Sequence, residues 1–316
     1  MTMRMWQLGA LALAMAALCS CVKFGRQTMT MQHDTAADRL LIFQVYEGIQ
    51  GSEEKMTERE QEELASVFSG QRTFFFANWL FEYNRKTIED GVAKAKQKLA
   101  GTPGQPSLRE SEREVTQAGL ALGEALLAHV RVDNGRFYRN GAGQLCGYQQ
   151  VTVEQVSKLI ASVNAALNRM VLAGVAPDET AGNGVRRAAA ARGHVWIALS
   201  GNRLRFQIPA TAEEYWKKRQ ELGKPLQDAV YAADTTLESL RAKVAPVADA
   251  WQAPQQGWFS DGVYVQEIGL EGAAPVTLTL TLDPAYRDNV AAHAGAAYGI
   301  HELDVTALRQ AFLGGK

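Results

Sequence analysis

Thr28-Met29-Thr30-Met31-Gln32, a turn over residues 33–38, and then Arg39-Leu40-Leu41-Ile42-Phe43-Gln44-Val45-Tyr46 is the stretch that decides the fold. The first run alternates with period two, as a half-buried strand does. The second is rich in Leu, Ile, Phe and Val, residues that fit a pleated and packed surface. Together they predict an antiparallel β-hairpin. His33 and Asp34 fall at its tip, where a solvated turn is expected rather than a catalytic pair.

Helical signals follow the hairpin. Thr57-Glu58-Arg59-Glu60 fits a capping box, with Leu64, Val67 and Phe68 at helical spacing behind it and Gly70 as the stop. Glu60 and Glu63 have the spacing of a helix surface and specify no chemistry. Residues 74–83 hold Phe74, Phe75, Phe76, Trp79, Phe81 and Tyr83, read as a core strand; the alternative is a stacking or partner surface. Residues 87–99 predict a lysine-rich, solvated helix, and residues 101–106 a breaker loop. Ser107-Leu108-Arg109-Glu110 predicts the cap of a long helix ending at His129.

Between residues 130 and 151 the clusters Asp133-Asn134-Gly135 and Asn140-Gly141-Ala142-Gly143 punctuate short apolar runs, predicting a small β-meander. No Lys-Ser or Lys-Thr follows these glycines, so they do not form a phosphate loop. Thr152 and Gln155 predict the cap of a core helix with a stripe of Val156, Leu159, Ile160, Val163, Leu167, Met170 and Val171. A loop from 173 to 184 follows, and a sub-domain boundary is expected near 174–192. Arg186, Arg187 and Arg192 flank an alanine run, read as an exposed helix. Residues 195–199 and 204–208 flank Ser200-Gly201-Asn202-Arg203, a tight hairpin signal. Helices are expected over 211–222 and 223–246, and a strand over 263–270. A strictly alternating strand is expected over 276–282 and two closing helices over 286–297 and 304–312. The fold class expected is α+β, with antiparallel hairpins and a meander packed against several amphipathic helices.

The amino terminus speaks of location. Residues 1–7 carry Arg4 and no acid, and residues 8–18 are an unbroken apolar run. A basic start, a short apolar core and small residues at its end make a secretory signal peptide. The run falls short of the ~20 apolar residues of a membrane span. Its end, Leu18-Cys19-Ser20-Cys21, resembles the lipobox of bacterial lipoproteins, although Cys19 stands where Ala, Ser or Thr is more usual. The resemblance implies removal of residues 1–20 and lipidation of Cys21. The pattern of the chain itself predicts a short linker over 21–27 and a single α+β domain over 28–316. Val22 and Lys23 follow the cysteine instead of Asp, which by analogy favours the outer membrane over the inner. The alternative is an ordinary signal peptide that leaves Cys21 free.

The formal net charge of −1 gives no global pull towards nucleic acid or anionic lipid. With Cys21 lipidated, Cys146 has no intramolecular partner once the signal is removed, so the domain must stand without disulfides. The five histidines (His33, His129, His194, His293 and His301) show no zinc-ligand spacing, and no metal or cofactor is expected. No hydrolase elbow is present. The best acid/base candidates are His301, Glu302 and Asp261, with Asp304 close by, but His301 to Asp304 also reads as a helix start. The function expected is that of a membrane-tethered envelope lipoprotein with a binding or structural, non-catalytic role. Its partners would be the membrane through Cys21 and a protein or small molecule of the envelope, met at an exposed aromatic patch including Trp79 or Trp258. The alternative is an envelope hydrolase with dispersed catalytic residues.

Overall fold

The computed structural model describes residues 22–75, 81–101, 108–174, 181–211, 255–268, 275–281 and 285–314. The chain is α+β, as its alternating and helical patterns predict. The opening hairpin forms as expected: β2 (Arg26–Asp34) pairs antiparallel with β3 (Arg39–Glu47) from Arg26↔Glu47 to Asp34↔Arg39. The residues expected as a linker lie largely in strands. β1 (Val22–Lys23) pairs with β4 (Gln50–Gly51), and β2 already begins at Arg26.

The hairpin is the middle of a six-stranded sheet. β3 pairs with β8 (Leu145–Glu154), and β8 with β7 (Val130–Arg139). β13 (Val276–Thr281) lies on the outside of β2. At the other end β14 (Ile300–His301) adds in parallel to β7, giving the order β13-β2-β3-β8-β7-β14. The expected meander is therefore one long hairpin. Asp133-Asn134-Gly135 does not turn the chain but lies within β7, where the register shifts between Asn134 and Phe137. A Cβ on Gly135 would stand 1.4 Å from the carbonyl oxygen of Tyr148, so glycine is demanded by the close approach of backbone. Thr152 likewise belongs to β8, and the helix it was expected to cap starts four residues later.

A second sheet, in the order β11-β12-β10-β9, contains β9 (Ile197–Ser200), β10 (Arg203–Pro209), β11 (Gln255–Ser260) and β12 (Val263–Ile268). Its β9–β10 turn is the predicted Gly201-Asn202 pair. A third, small hairpin joins β5 (Arg72–Phe75) to β6 (Phe81–Asn84), so the aromatic stretch is a hairpin with Phe74 and Tyr83 buried. Phe76 and Trp79 lie outside the described residues.

Seven helices are described: α1 (Glu58–Phe68), α2 (Arg85–Ala100), α3 (Glu110–His129), α4 (Val156–Leu172), α5 (Ala181–Ala191), α6 (Ala291–Tyr298) and α7 (Val305–Leu313). The Thr57/Glu60 capping box opens α1 as predicted. α2 starts at Asn84, whose side chain accepts from the Thr87 amide, and buries no residue, as its lysines foretell. Ser107 lies outside the described residues; Arg109 stands before α3 and its amide donates to Glu112 at 3.3 Å. The loop expected to run to Gly184 gives way to helix at Ala181. The segments 211–222 and 223–246 lie almost wholly outside the described residues, as do residues 1–21.

Period-two geometry sends alternate side chains of the six-stranded sheet to opposite sides. One face carries Met29, Ile42, Tyr46, Val151 and Val153, covered by α1, α3, α4, α6, the β5–β6 hairpin and the second sheet. The other carries Phe43, Val45, Tyr138, Cys146 and Tyr148, covered by Leu303 and α7.

Candidate functional site

The most heavily built polar region lies at the amino-terminal edge, where β1 meets α1 and β5–β6. Arg72 of β5 donates through Nε and Nη2 to Glu82 of β6 at 2.7 and 2.9 Å, and through Nη1 to Glu63 of α1 at 3.0 Å. The side chains are 15%, 15% and 6% exposed for Arg72, Glu82 and Glu63, so this fork is largely desolvated. Bidentate guanidinium–carboxylate geometry is the strong form of such a pair. The Arg72 guanidinium also lies 4.7 Å from the centre of the Phe74 ring. The second Glu63 oxygen accepts the backbone amide of Val22 at 3.1 Å. Glu63 thus ties the start of the described chain to the hairpin over the sheet.

Glu60, one turn earlier, is fully buried. It accepts from the amide and hydroxyl of Ser52 at 2.6 and 2.9 Å and from those of Thr57 at 2.7 and 3.1 Å. Burial alone would raise its pKa, but these donors stabilise the charged form and hold the carboxyl below its usual range. The helix-surface reading of Glu60 and Glu63 is therefore overturned. Three-residue spacing puts them on one face of α1, and that face points inward.

Behind the fork, a chain of buried amides and hydroxyls crosses the sheet. Gln27 Nε2 donates to Gln44 at 2.8 Å and to the Phe74 carbonyl at 2.7 Å. Gln44 Nε2 donates to Thr73 at 2.8 Å. Tyr46 donates to Gln149 at 3.1 Å, and Gln149 Nε2 donates to the carbonyls of Val67 and Arg72 at 2.8 and 2.9 Å. Burial pushes the Tyr46 hydroxyl up to about 12, so it remains a neutral donor. Nothing in this network is placed for catalysis: its members satisfy one another.

The opposite face of the sheet offers a groove of about 500 Å³ beside α7. Thr30, Gln32, Pro275 and Thr277 form its floor and edge, and Arg309, Gln310 and Leu313 its wall. The Thr30 and Thr277 hydroxyls are 3.2 Å apart across the β2–β13 pair. Its lining mixes one cation, two amides and two hydroxyls with the apolar surface of Pro275 and Leu313, so it offers a small ligand a few polar groups on a mainly apolar wall.

The sequence-predicted site residues are not brought together. His301 and Glu302 are exposed at the β14 edge of the six-stranded sheet, and Asp304 caps α7 by accepting from the Ala307 amide at 2.9 Å. The helix-start reading holds for Asp304, whereas His301 belongs to β14 and pairs with Tyr138. Asp261 is exposed in the β11–β12 turn of the other sheet, with φ of 52°. Trp258 lies in β11, described in its backbone alone.

His33 and Asp34, expected in a solvated turn, are instead the last residues of β2; His33 is partly buried, its Nδ1 2.9 Å from the Gly201 carbonyl oxygen and its amide donating to Asn202 at 2.8 Å. Asp38, in the β2–β3 turn, receives the amide and hydroxyl of Ser157 and, through its own carbonyl, the amide of Val156. It supplies the cap that Thr152 and Gln155 were expected to give α4. Among the described residues no group of His, Cys, Asp or Glu is disposed to hold a metal ion, and no helix is long and apolar enough to cross a membrane. No family model, curated protein or solved structure matches the chain.

Proposed function

We propose that the protein is a lipid-anchored lipoprotein of a bacterial cell envelope, held to the outer membrane through Cys21, with a binding or structural role rather than a catalytic one. The observation that carries this reading is the apolar run closed by Leu18-Cys19-Ser20-Cys21. Two or more acyl chains suffice for stable anchoring, since each buried CH₂ contributes roughly 0.8 kcal/mol. The built polar region supports a non-catalytic role: its charges are paired, capped and buried, as a scaffold's are. The groove beside α7 is the candidate place for a small-molecule partner. A hydrolase built on His301, Glu302 and Asp261 is the less favoured reading, because His301 and Glu302 are exposed at the β14 edge and Asp261 is exposed in the β11–β12 turn of the other sheet.

Detergent phase partitioning with intact-mass measurement tests the anchor, on wild type and Cys21→Ala made in a Gram-negative host. Wild type is expected to enter the detergent phase with the added mass of several acyl chains, and Cys21→Ala to lose both. A water-soluble wild type with a free Cys21 thiol would overturn the reading.

A further inference from the structure

We propose that the face around Val22 is the surface that meets the membrane, resting directly on the lipid headgroups because no tether separates the anchor from the fold. The proposal rests on lipidation of Cys21. The atom that joins Cys21 to the described chain is the Val22 amide nitrogen, which is fixed 3.1 Å from a Glu63 oxygen. Glu63 is 7% exposed and its other oxygen is held by Arg72, so the acceptor cannot swing away with the chain. Val22 and Lys23 are paired with Gly51 and Gln50, and the Val22 side chain packs against the core cluster of Phe24, Tyr46 and Leu64. The Cα of Cys21 lies only about 3.8 Å from that of Val22. A diacylglyceryl group on its sulfur can reach the bilayer only if this face is brought down to it.

The chemistry of the face indicates the kind of bilayer it fits. Exposed Lys23, Lys55 and Arg59 are interspersed with exposed Glu53, Glu54, Glu58 and Glu62 on β1, the segment after β4, and α1. Neither sign dominates, so the surface has no need of anionic lipid. It matches zwitterionic headgroups, which offer a phosphate to the cations and an ammonium to the carboxylates. The β2–β3 turn lies at the far end of the sheet, about 26 Å away along the eight residue steps of β2. Anchoring by this edge turns that end out towards the aqueous phase.

The full-length lipidated protein is reconstituted in phosphatidylcholine vesicles containing a headgroup nitroxide lipid, with a fluorophore on Glu54→Cys or on Ala36→Cys. Both positions are exposed, and Cys146 is fully buried and does not compete for label. The expected result is strong quenching at position 54 and little at position 36, unchanged between low and high salt. A flexible ten-residue Gly/Ser insertion between Cys21 and Val22 is expected to remove most of the quenching at position 54. Equal quenching at both positions, quenching at neither, or no effect of the insertion would overturn the proposed surface. Intact mass on the same samples separates the two layers of the inference. Acylated protein with the wrong quenching pattern sinks the surface alone, whereas protein without acyl chains sinks the anchor and the surface with it.

Discussion

The two faces of the six-stranded sheet are held by different physics. One is covered by a hairpin and helices that add directed polar contacts to their apolar packing: the Arg72 fork, the Glu60 cap and the Gln27, Gln44, Tyr46, Thr73 and Gln149 chain. The other is covered by α7 through apolar contact, with Phe312 6.1 Å from the ring of Phe43 and Leu308 and Leu313 beside it. Apolar packing is non-directional and tolerates small slips. A buried hydrogen-bond network admits one register, because a half-satisfied network costs more than an apolar core. The difference places the rigid attachment on the side where Val22 is held, and leaves the looser cover beside the groove.

The largest expected effect breaks the polar side. Arg72→Met would leave Glu63 and Glu82 largely buried without their cation, and removal of one partner of such a pair costs about 3–5 kcal/mol. Urea unfolding should show a loss of that size, with the Val22 amide losing its protection from hydrogen exchange. A loss under about 1 kcal/mol would mean that the two carboxylates find water or other donors easily, and that the fork is not a fixed point.

A paired measurement sharpens the contrast. Gln149→Leu strips donors from the Val67 and Arg72 carbonyls and an acceptor from Tyr46, at a cost of about 2–3 kcal/mol for buried groups left unsatisfied. Phe312→Ala removes a half-buried ring from α7 and should cost about 1–2 kcal/mol, below the range for a fully buried Phe. If Phe312→Ala proves the costlier, α7 is as much a part of the fold's specification as the polar network is.

Much of this asymmetry was hidden in the sequence, and the reasons are physical. Local signals read well: the opening hairpin, the Thr57/Glu60 box, the Gly201-Asn202 turn and the alternation from Val276 all depend on neighbours a few residues apart. What failed depended on distant partners. Thr152 and Gln155 look like a cap, but β8 needs Thr152 opposite Leu41, and the capping carboxylate comes from Asp38. Asp133-Asn134-Gly135 looks like a turn, but its glycine answers to Tyr148 on the next strand. Glu63, Arg72 and Glu82 meet only because α1 and a hairpin fold over one sheet, so no spacing announces them. The candidates His301, Glu302 and Asp261 were chosen for residue type, and type alone does not bring residues together.

The smallest effect tests how tightly the apolar side is closed. Cys146 lies on that face, fully buried, its Sγ donating to the Gln144 carbonyl at 3.4 Å. Burial disfavours the thiolate and pushes its pKa up to about 11, aided by the nearby Glu47 charge. At pH 8 both access and ionisation therefore oppose reaction with a disulfide reagent. Native protein should leave Cys146 untouched over hours, and urea should expose one reacting thiol in addition to any at Cys21. Phe312→Ala should speed the native reaction if α7 lifts as a unit, because only opening of this cover brings the reagent to the sulfur. An unchanged rate in that variant would mean that the strands themselves, and not α7, keep Cys146 closed, and the two faces would then differ less than their covers suggest.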